Sequence, residues 1–178
     1  MNKIETPLKG CFVIEPEVFG DERGFFFETY HKEKYQNLFN DEIIFVQDNF
    51  SSSIKGVLRG LHYQKNNPQG KLVSVISGEV YDVAVDLRED SDSFGKWFAI
   101  NLSQDNKKQL WIPPGFAHGF QVISERADFF YKCTQLYNPS DERSIIWNDP
   151  TLGIDWPINT PILSKKDASA KKLNIDSL

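Results

Sequence analysis

The chain has 178 residues, 40% hydrophobic and 25% charged, with 14 Phe, 4 Trp and 6 Tyr. That balance excludes a disordered chain and suits one folded domain with a substantial core. The net charge of −5 and isoelectric point near 5.2, with Lys and Arg spread along the chain, argue against nucleic acid as a partner but still let a few cations converge on a small anion.

The start, MNKIETPLKG, has no apolar core of signal-peptide length, and no apolar run approaches the roughly 18 to 20 residues of a membrane span. A cytoplasmic protein with no membrane partner is therefore expected. Cys11 and Cys133, the only cysteines, read as reduced core residues and not as a disulfide framework.

Short apolar or alternating runs broken by Gly, Pro, Asn and Asp recur along the chain, the spacing of an antiparallel sandwich or barrel. Strands are predicted at 11–14, 24–29, 43–52, 56–64, 71–77, 79–87, 96–102, 109–112, 116–123, 127–137 and 143–148. A short helix is predicted over 31–40, and Ser164 before Lys165, Lys166 and Asp167 reads as the cap of a C-terminal helix. Neither helix can form a core. The stretch from Pro150 to Pro161 reads as an extended arm over the surface. With no repeat, low-complexity segment or linker, residues 1–178 are expected to form a single domain.

The clearest strand runs from Glu79 to Leu87. Tyr81, Val83, Val85 and Leu87 fall on one face, and Val80, Asp82, Ala84 and Asp86 on the other. Asp82 thus shares a face with small apolar neighbours. Asp86 is expected at a rim, and a solvated face is an equal reading for either carboxylate.

Two of the three histidines stand beside basic or turn-forming residues, in Arg59-Gly-Leu-His62 and in Pro113-Pro-Gly-Phe-Ala-His118-Gly119. His31 reads as a bystander. The run Pro113 to His118 resembles the second sequence motif of the cupin superfamily, whose histidine points into a β-barrel. An all-β, cupin-type antiparallel jelly roll with a few short helices is the expected fold. Metal-binding cupins also need a His-x-His pair, because a transition metal takes about three protein ligands. Here the matching stretch is His62-Tyr63-Gln64, so no metal and no cofactor are expected, and acid–base chemistry is.

Eight runs in all, the two histidine motifs among them, follow in register: Asp21–Glu28, Gln47–Ser53, Gly56–Gln64, Lys71–Val75, Asp82–Arg88, Ile112–Phe120, Asp128–Thr134 and Ser164–Asp167. Together they resemble the dTDP-4-dehydrorhamnose 3,5-epimerase family from about residue 5 to residue 170. The resemblance implies an isomerase that inverts carbons 3 and 5 of a dTDP-linked 4-keto-6-deoxyhexose in dTDP-rhamnose synthesis, acting as a homodimer whose N-terminal strand residues complete the partner's sheet or pocket. Both carbons flank the ketone, so the reaction needs a base, an acid on the opposite face and a donor at the developing oxyanion.

Matched position by position, His62 is the implied base and Asp167 its orienting partner. Lys71 falls at the carbonyl oxygen, and Tyr131 is the acid. Tyr137 is a second pocket tyrosine. Arg23, Glu28, Gln47, Asn49, Arg59, His118 and Glu142 match substrate-binding positions, with Lys166 near sugar or phosphate and Asp82 supporting His118. Arg offers a planar fork to phosphate, and Gln47, Asn49 and Glu28 suit the thymine edge and ribose.

Strand parity adds two expectations. A continuous strand puts Phe129, Tyr131, Cys133, Gln135 and Tyr137 on one face. Arg59 and His62, three apart, fall on opposite faces unless Gly60 allows a bulge. The competing readings are a relative that inverts one carbon or takes another nucleotide 4-ketosugar, a metal-dependent cupin, and a sugar-binding cupin without catalysis.

Overall fold

The structure is a computed structural model and describes residues 1–39 and 42–173. The last residue of the helix predicted over 31–40, and residues 174–178 of the predicted domain, lie outside the described residues. The strands are β1 (Asn2–Glu5), β2 (Phe12–Glu15), β3 (Val18–Asp21), β4 (Gly24–Phe27), β5 (Gln47–Ile54), β6 (Leu58–Gln64), β7 (Lys71–Ser77), β8 (Glu79–Asp86), β9 (Trp97–Ser103), β10 (Gln109–Ile112), β11 (Phe116–Val122), β12 (Arg126–Cys133) and β13 (Glu142–Ser144). The helices are α1 (Lys32–Phe39) and α2 (Lys165–Ala168).

Two antiparallel sheets face each other, ordered β1-β2-β10-β7-β12-β5 and β13-β6-β11-β8-β9. This is the expected jelly roll. Between them lies the core, with Val13, Val73, Val75, Leu110, Ile112, Ala127 and Phe129 from the first sheet against Val80, Ala84, Leu102, Phe116, Phe120 and Val122 from the second. Each fully buried side chain of this kind contributes roughly 1.5–3 kcal/mol.

The outer faces are covered as well. Helix α1 lays Tyr35 over Phe12, Ile14, Leu72 and Trp111. The predicted arm buries every second residue, Leu152, Ile154 and Trp156, against Leu58, Leu61, Val83, Val85 and Ala117, so it is a packed layer and not only a surface covering. Gln121, fully buried, pins the arm by donating to the Ile158 carbonyl at 2.8 Å and accepting from its N–H at 2.9 Å.

The alternation of 79–87 appears as predicted: Val80 and Ala84 enter the inter-sheet core, and Val83, Val85 and Leu87 pack under the arm. The solvated reading of the two carboxylates is overturned, because Asp82 and Asp86 are both 0% exposed. Asp86 is stripped of water by its own partners. It accepts from Arg88 Nε and Nη2 at 2.9 and 2.7 Å and from the Ser91 and Ser93 hydroxyls, each at 2.6 Å. Burial opposes its ionisation, yet these donors outweigh that and bring its carboxyl down to about 2.

The predicted strand 127–137 stops at Cys133, because the chain beyond it turns out of the ladder. Strand 43–52 is observed as 47–54, and the short strands β1 and β3, bounded by no strong turn signal on both sides, were not predicted. The hairpin of β3 and β4 belongs to neither sheet and exposes Val18, Phe19, Phe25 and Phe26 by 41–66%.

Candidate active site

A cavity of about 510 Å³ opens between the sheets, lined by side chains of β5, β6, β7, β11, β12 and the segment around α2. Strand β6 supplies Arg59 and His62 through a bulge. In the pairing with β11, His62 faces His118 and Arg59 faces Phe120, so three steps on one strand oppose two on the other. Gly60 makes this possible. Its φ is +132°, and a Cβ there would stand 2.5 Å from Gly119 Cα and 2.9 Å from the His118 carbonyl. The extra residue turns Arg59 and His62 into the same cavity.

His62 Nε2 stands 2.6 Å from Asp167 Oδ1. Asp167 reaches that place because Ser164 caps α2, its hydroxyl accepting from the Asp167 N–H at 3.1 Å. The cap residue was legible in the sequence. Burial resists the charge on Asp167, but the hydrogen bond and charge of His62, with Ser164 and Lys166, hold the carboxyl below the ordinary carboxylate range. The imidazole is thereby oriented, and among the described residues its other ring nitrogen has no hydrogen-bond partner.

The opposite wall belongs to the other sheet. Tyr131 of β12 pairs with Asn49 of β5 and Val73 of β7. Burial first, then the neighbouring Cys133, push its phenol up to about 12, so it keeps its proton at neutral pH. Lys71, 8% exposed at the start of β7 and opposite Cys133, has its pKa lowered by burial, partly countered by Cys133, Asp82 and Glu142. Among the described residues its side-chain nitrogen makes no hydrogen bond or ion pair. The Arg59 guanidinium donates, among the described residues, only to the Ser53 hydroxyl, at 3.1 Å from both Nε and Nη2. Two basic side chains thus line the cavity without a carboxylate partner, an arrangement suited to an anionic ligand.

His118 also lines the cavity, with Nε2 at 2.9 Å from the buried Asp82 and its ring stacked on Phe129. Burial dominates the Asp82 charge and lowers its pKa, so the ring is neutral at pH 7. Asp82 stands behind it, as expected of a supporting carboxylate. Asn49 lines the cavity, and its side-chain amide donates to Cys133 Sγ at 3.6 Å. Lys166 lines it too and is ion-paired with Glu142.

The remaining predicted residues lie elsewhere. Gln47 spends its side chain on Asn49 Oδ1 and the Tyr137 N–H. The expectation that Tyr137 shares the Tyr131 face is overturned with the strand itself. Tyr137 sits past the end of β12, 49% exposed, and donates to Glu142 Oε2 at 2.8 Å. Arg23 and Glu28 lie on and just after the exposed hairpin, paired with Asp21 and Lys34, and are not brought to the cavity of their own chain. Sequence reasoning missed Ser53 and Phe129 as neighbours of Arg59 and His118. Period-2 spacing with Asn49, Ser51 and Tyr131 was the signal for both.

Fold and site together define the class: a cupin-type jelly roll with titratable side chains on both walls of its cavity and basic side chains between them. The profile of the dTDP-4-dehydrorhamnose 3,5-epimerase family matches residues 5–174, and the chain belongs to that family. It is 56% identical over 172 residues to the dTDP-4-dehydrorhamnose 3,5-epimerase of Pseudomonas aeruginosa, covering 96% of this chain and 95% of that one. To the Salmonella typhimurium enzyme of the same name it is 55% identical over 173 residues, 96% and 94% of the two chains. The crystal structure of dTDP-6-deoxy-D-glucose-3,5-epimerase from Legionella pneumophila in complex with dTDP-4-keto-L-rhamnose superposes with a TM-score of 0.94 at 54% identity, covering 99% of this chain and 94% of that one.

Proposed function

We propose that the protein inverts carbons 3 and 5 of dTDP-4-dehydro-6-deoxy-D-glucose to give dTDP-4-dehydro-L-rhamnose, using side chains alone as acid and base. The observation that carries this reading is the oriented His62–Asp167 pair on one sheet, with the protonated Tyr131 on the other and Lys71 in the cavity they share. His62 removes the proton from a carbon beside the ketone. The electron pair moves onto the carbonyl oxygen, where Lys71 donates a hydrogen bond that stabilises the enolate. Tyr131 returns a proton from the opposite face, and inversion results.

Arg59, with Lys166 and His118, faces the diphosphate, and Asn49 faces the nucleoside. A redox partner has no task here, since only protons move. At the position of the second histidine of metal-binding cupins, Gln64 has its amide fully engaged with backbone groups, which supports chemistry without a metal ligand set.

The reading extends to a homodimer in the cytoplasm. Support for the dimer is the aromatic hairpin of β3 and β4, whose exposed Phe19, Phe25 and Phe26 form a surface that a second copy would cover while carrying Arg23 and Glu28 to its partner's cavity. Among the described residues no helix is long and apolar enough to cross a membrane.

The test is incubation of the purified protein with the dTDP-linked 4-ketosugar in D2O. Proton NMR is expected to show deuterium at both carbons and the L-rhamno product. Deuterium at one carbon only would indicate a single-carbon epimerase, and unaltered substrate would exclude both.

A further inference from the structure

Past Cys133 the chain has left the sheet, yet Tyr137 and its neighbours are held in place. The bonds that hold them come largely from two glutamine side chains. Gln64 Nε2 donates to the Leu136 carbonyl at 3.3 Å and to the Asn67 carbonyl at 2.8 Å, and Gln64 Oε1 accepts from the Asn138 N–H at 2.7 Å. Gln47 Oε1 accepts from the Tyr137 N–H between them. The clip therefore grips the residue on each side of Tyr137. Because the ring itself is half exposed, packing alone does not fix it.

Gln64 is 4% exposed and shares its strand face with His62, two residues earlier. Both of its amide protons are used, and it does not line the cavity. A direct contact with substrate is therefore not its task. What it holds is: the Tyr137 hydroxyl donates to Glu142 Oε2, Glu142 is the cross-strand partner of Gln64, and Glu142 is ion-paired with Lys166, next to Asp167. The path from Gln64 leads through the 136–138 backbone to the carboxylate beside the catalytic pair.

We infer that Gln64 is a positioning residue that clips the 136–138 segment, so that Tyr137 is presented to Glu142, the carboxylate ion-paired with the cavity-lining Lys166. The inference rests on the proposed epimerase site. It also assigns a use to the position where the His-x-His pattern is broken: the side chain has become a backbone clip.

The experiment compares Gln64→Leu, Tyr137→Phe and the double variant for kcat and KM on the dTDP-linked 4-ketosugar, together with amide hydrogen exchange of the ligand-free proteins. Gln64→Leu and Tyr137→Phe are each expected to lower kcat about tenfold, and the double variant to equal the worse single one, as for residues acting through one another. Amides of 136–138 should exchange at least about tenfold faster in Gln64→Leu, with those of central β6 unchanged. Gln64→Glu, which keeps the acceptor for Asn138 and loses both donors, should fall between and serves where Gln64→Leu does not fold. Multiplying effects in the double variant, or unaltered exchange at 136–138, would overturn the inference. A wild-type protein inert towards the ketosugar would instead remove the epimerase reading, and the exchange of 136–138 would still decide the clip.

Discussion

Asp167 and His62, 105 residues apart in the chain, meet at 2.6 Å because a capped single-turn helix brings the carboxylate down onto the bulged strand β6. The contact orients the ring and, in the proposed mechanism, stabilises the imidazolium formed when His62 takes a proton. Asp167→Asn keeps the shape and loses the charge. Its kcat is expected to fall by about 10²-fold with little change in KM, measured by steady-state kinetics on a variant whose circular dichroism matches wild type.

The pH dependence of that carboxylate has a definite sign. Its folded value is depressed, so the interaction is complete above the ordinary carboxylate value of about 4 and is lost only as pH falls through the lower folded value. Titration of Asp167 should therefore place no limb in the kcat profile above about pH 4. Carboxyl NMR of the free protein, with Asp167→Asn to assign the signal, checks this.

Tyr131→Phe separates proton removal from proton return. Deuterium should still enter with the original configuration retained, while inversion at carbon 5 falls by about 10²-fold, the scale of a lost general acid. Normal inversion by this variant would remove Tyr131 from its role.

Asp86 makes a prediction about stability. With its carboxyl brought down to about 2, it contributes on the order of 2 kcal/mol above about pH 4, lost as pH falls towards 2. Asp86→Asn should lower stability at pH 7 by about that amount and flatten the stability profile between pH 4 and 2, read by urea unfolding.

Gly60→Ala tests the bulge. The methyl would meet Gly119 Cα at 2.5 Å from a backbone with φ of +132°, so the variant should lose roughly 3 kcal/mol or more and activity beyond that explained by its folded fraction. Thermal unfolding and kinetics on the folded protein measure the two effects.

Much of the sheet architecture was legible because alternation is strong where both faces are covered: Glu79–Leu87 shows it in the chain and in the core. The bulge was legible only as an allowance, since Gly60 and the Arg59–His62 spacing raise the question that pairing with β11 answers. Asp86 was misplaced because its shielding comes from Arg88, Ser91 and Ser93, beyond the strand's own pattern. Tyr137 was misplaced because the end of β12 is set by side-chain bonds from Gln47 and Gln64, distant in sequence. The partnership of His62 with Asp167 came from family resemblance alone, as no local rule joins residues 105 apart.

The most direct test of the central claim is the wash-in of deuterium by His62→Ala. The folded variant, incubated in D2O with the dTDP-linked 4-ketosugar, is expected to leave carbons 3 and 5 fully protonated over times in which wild type exchanges both, because no enolate forms without the base. Deuterium entering at near the wild-type rate would contradict the assignment of His62 as that base.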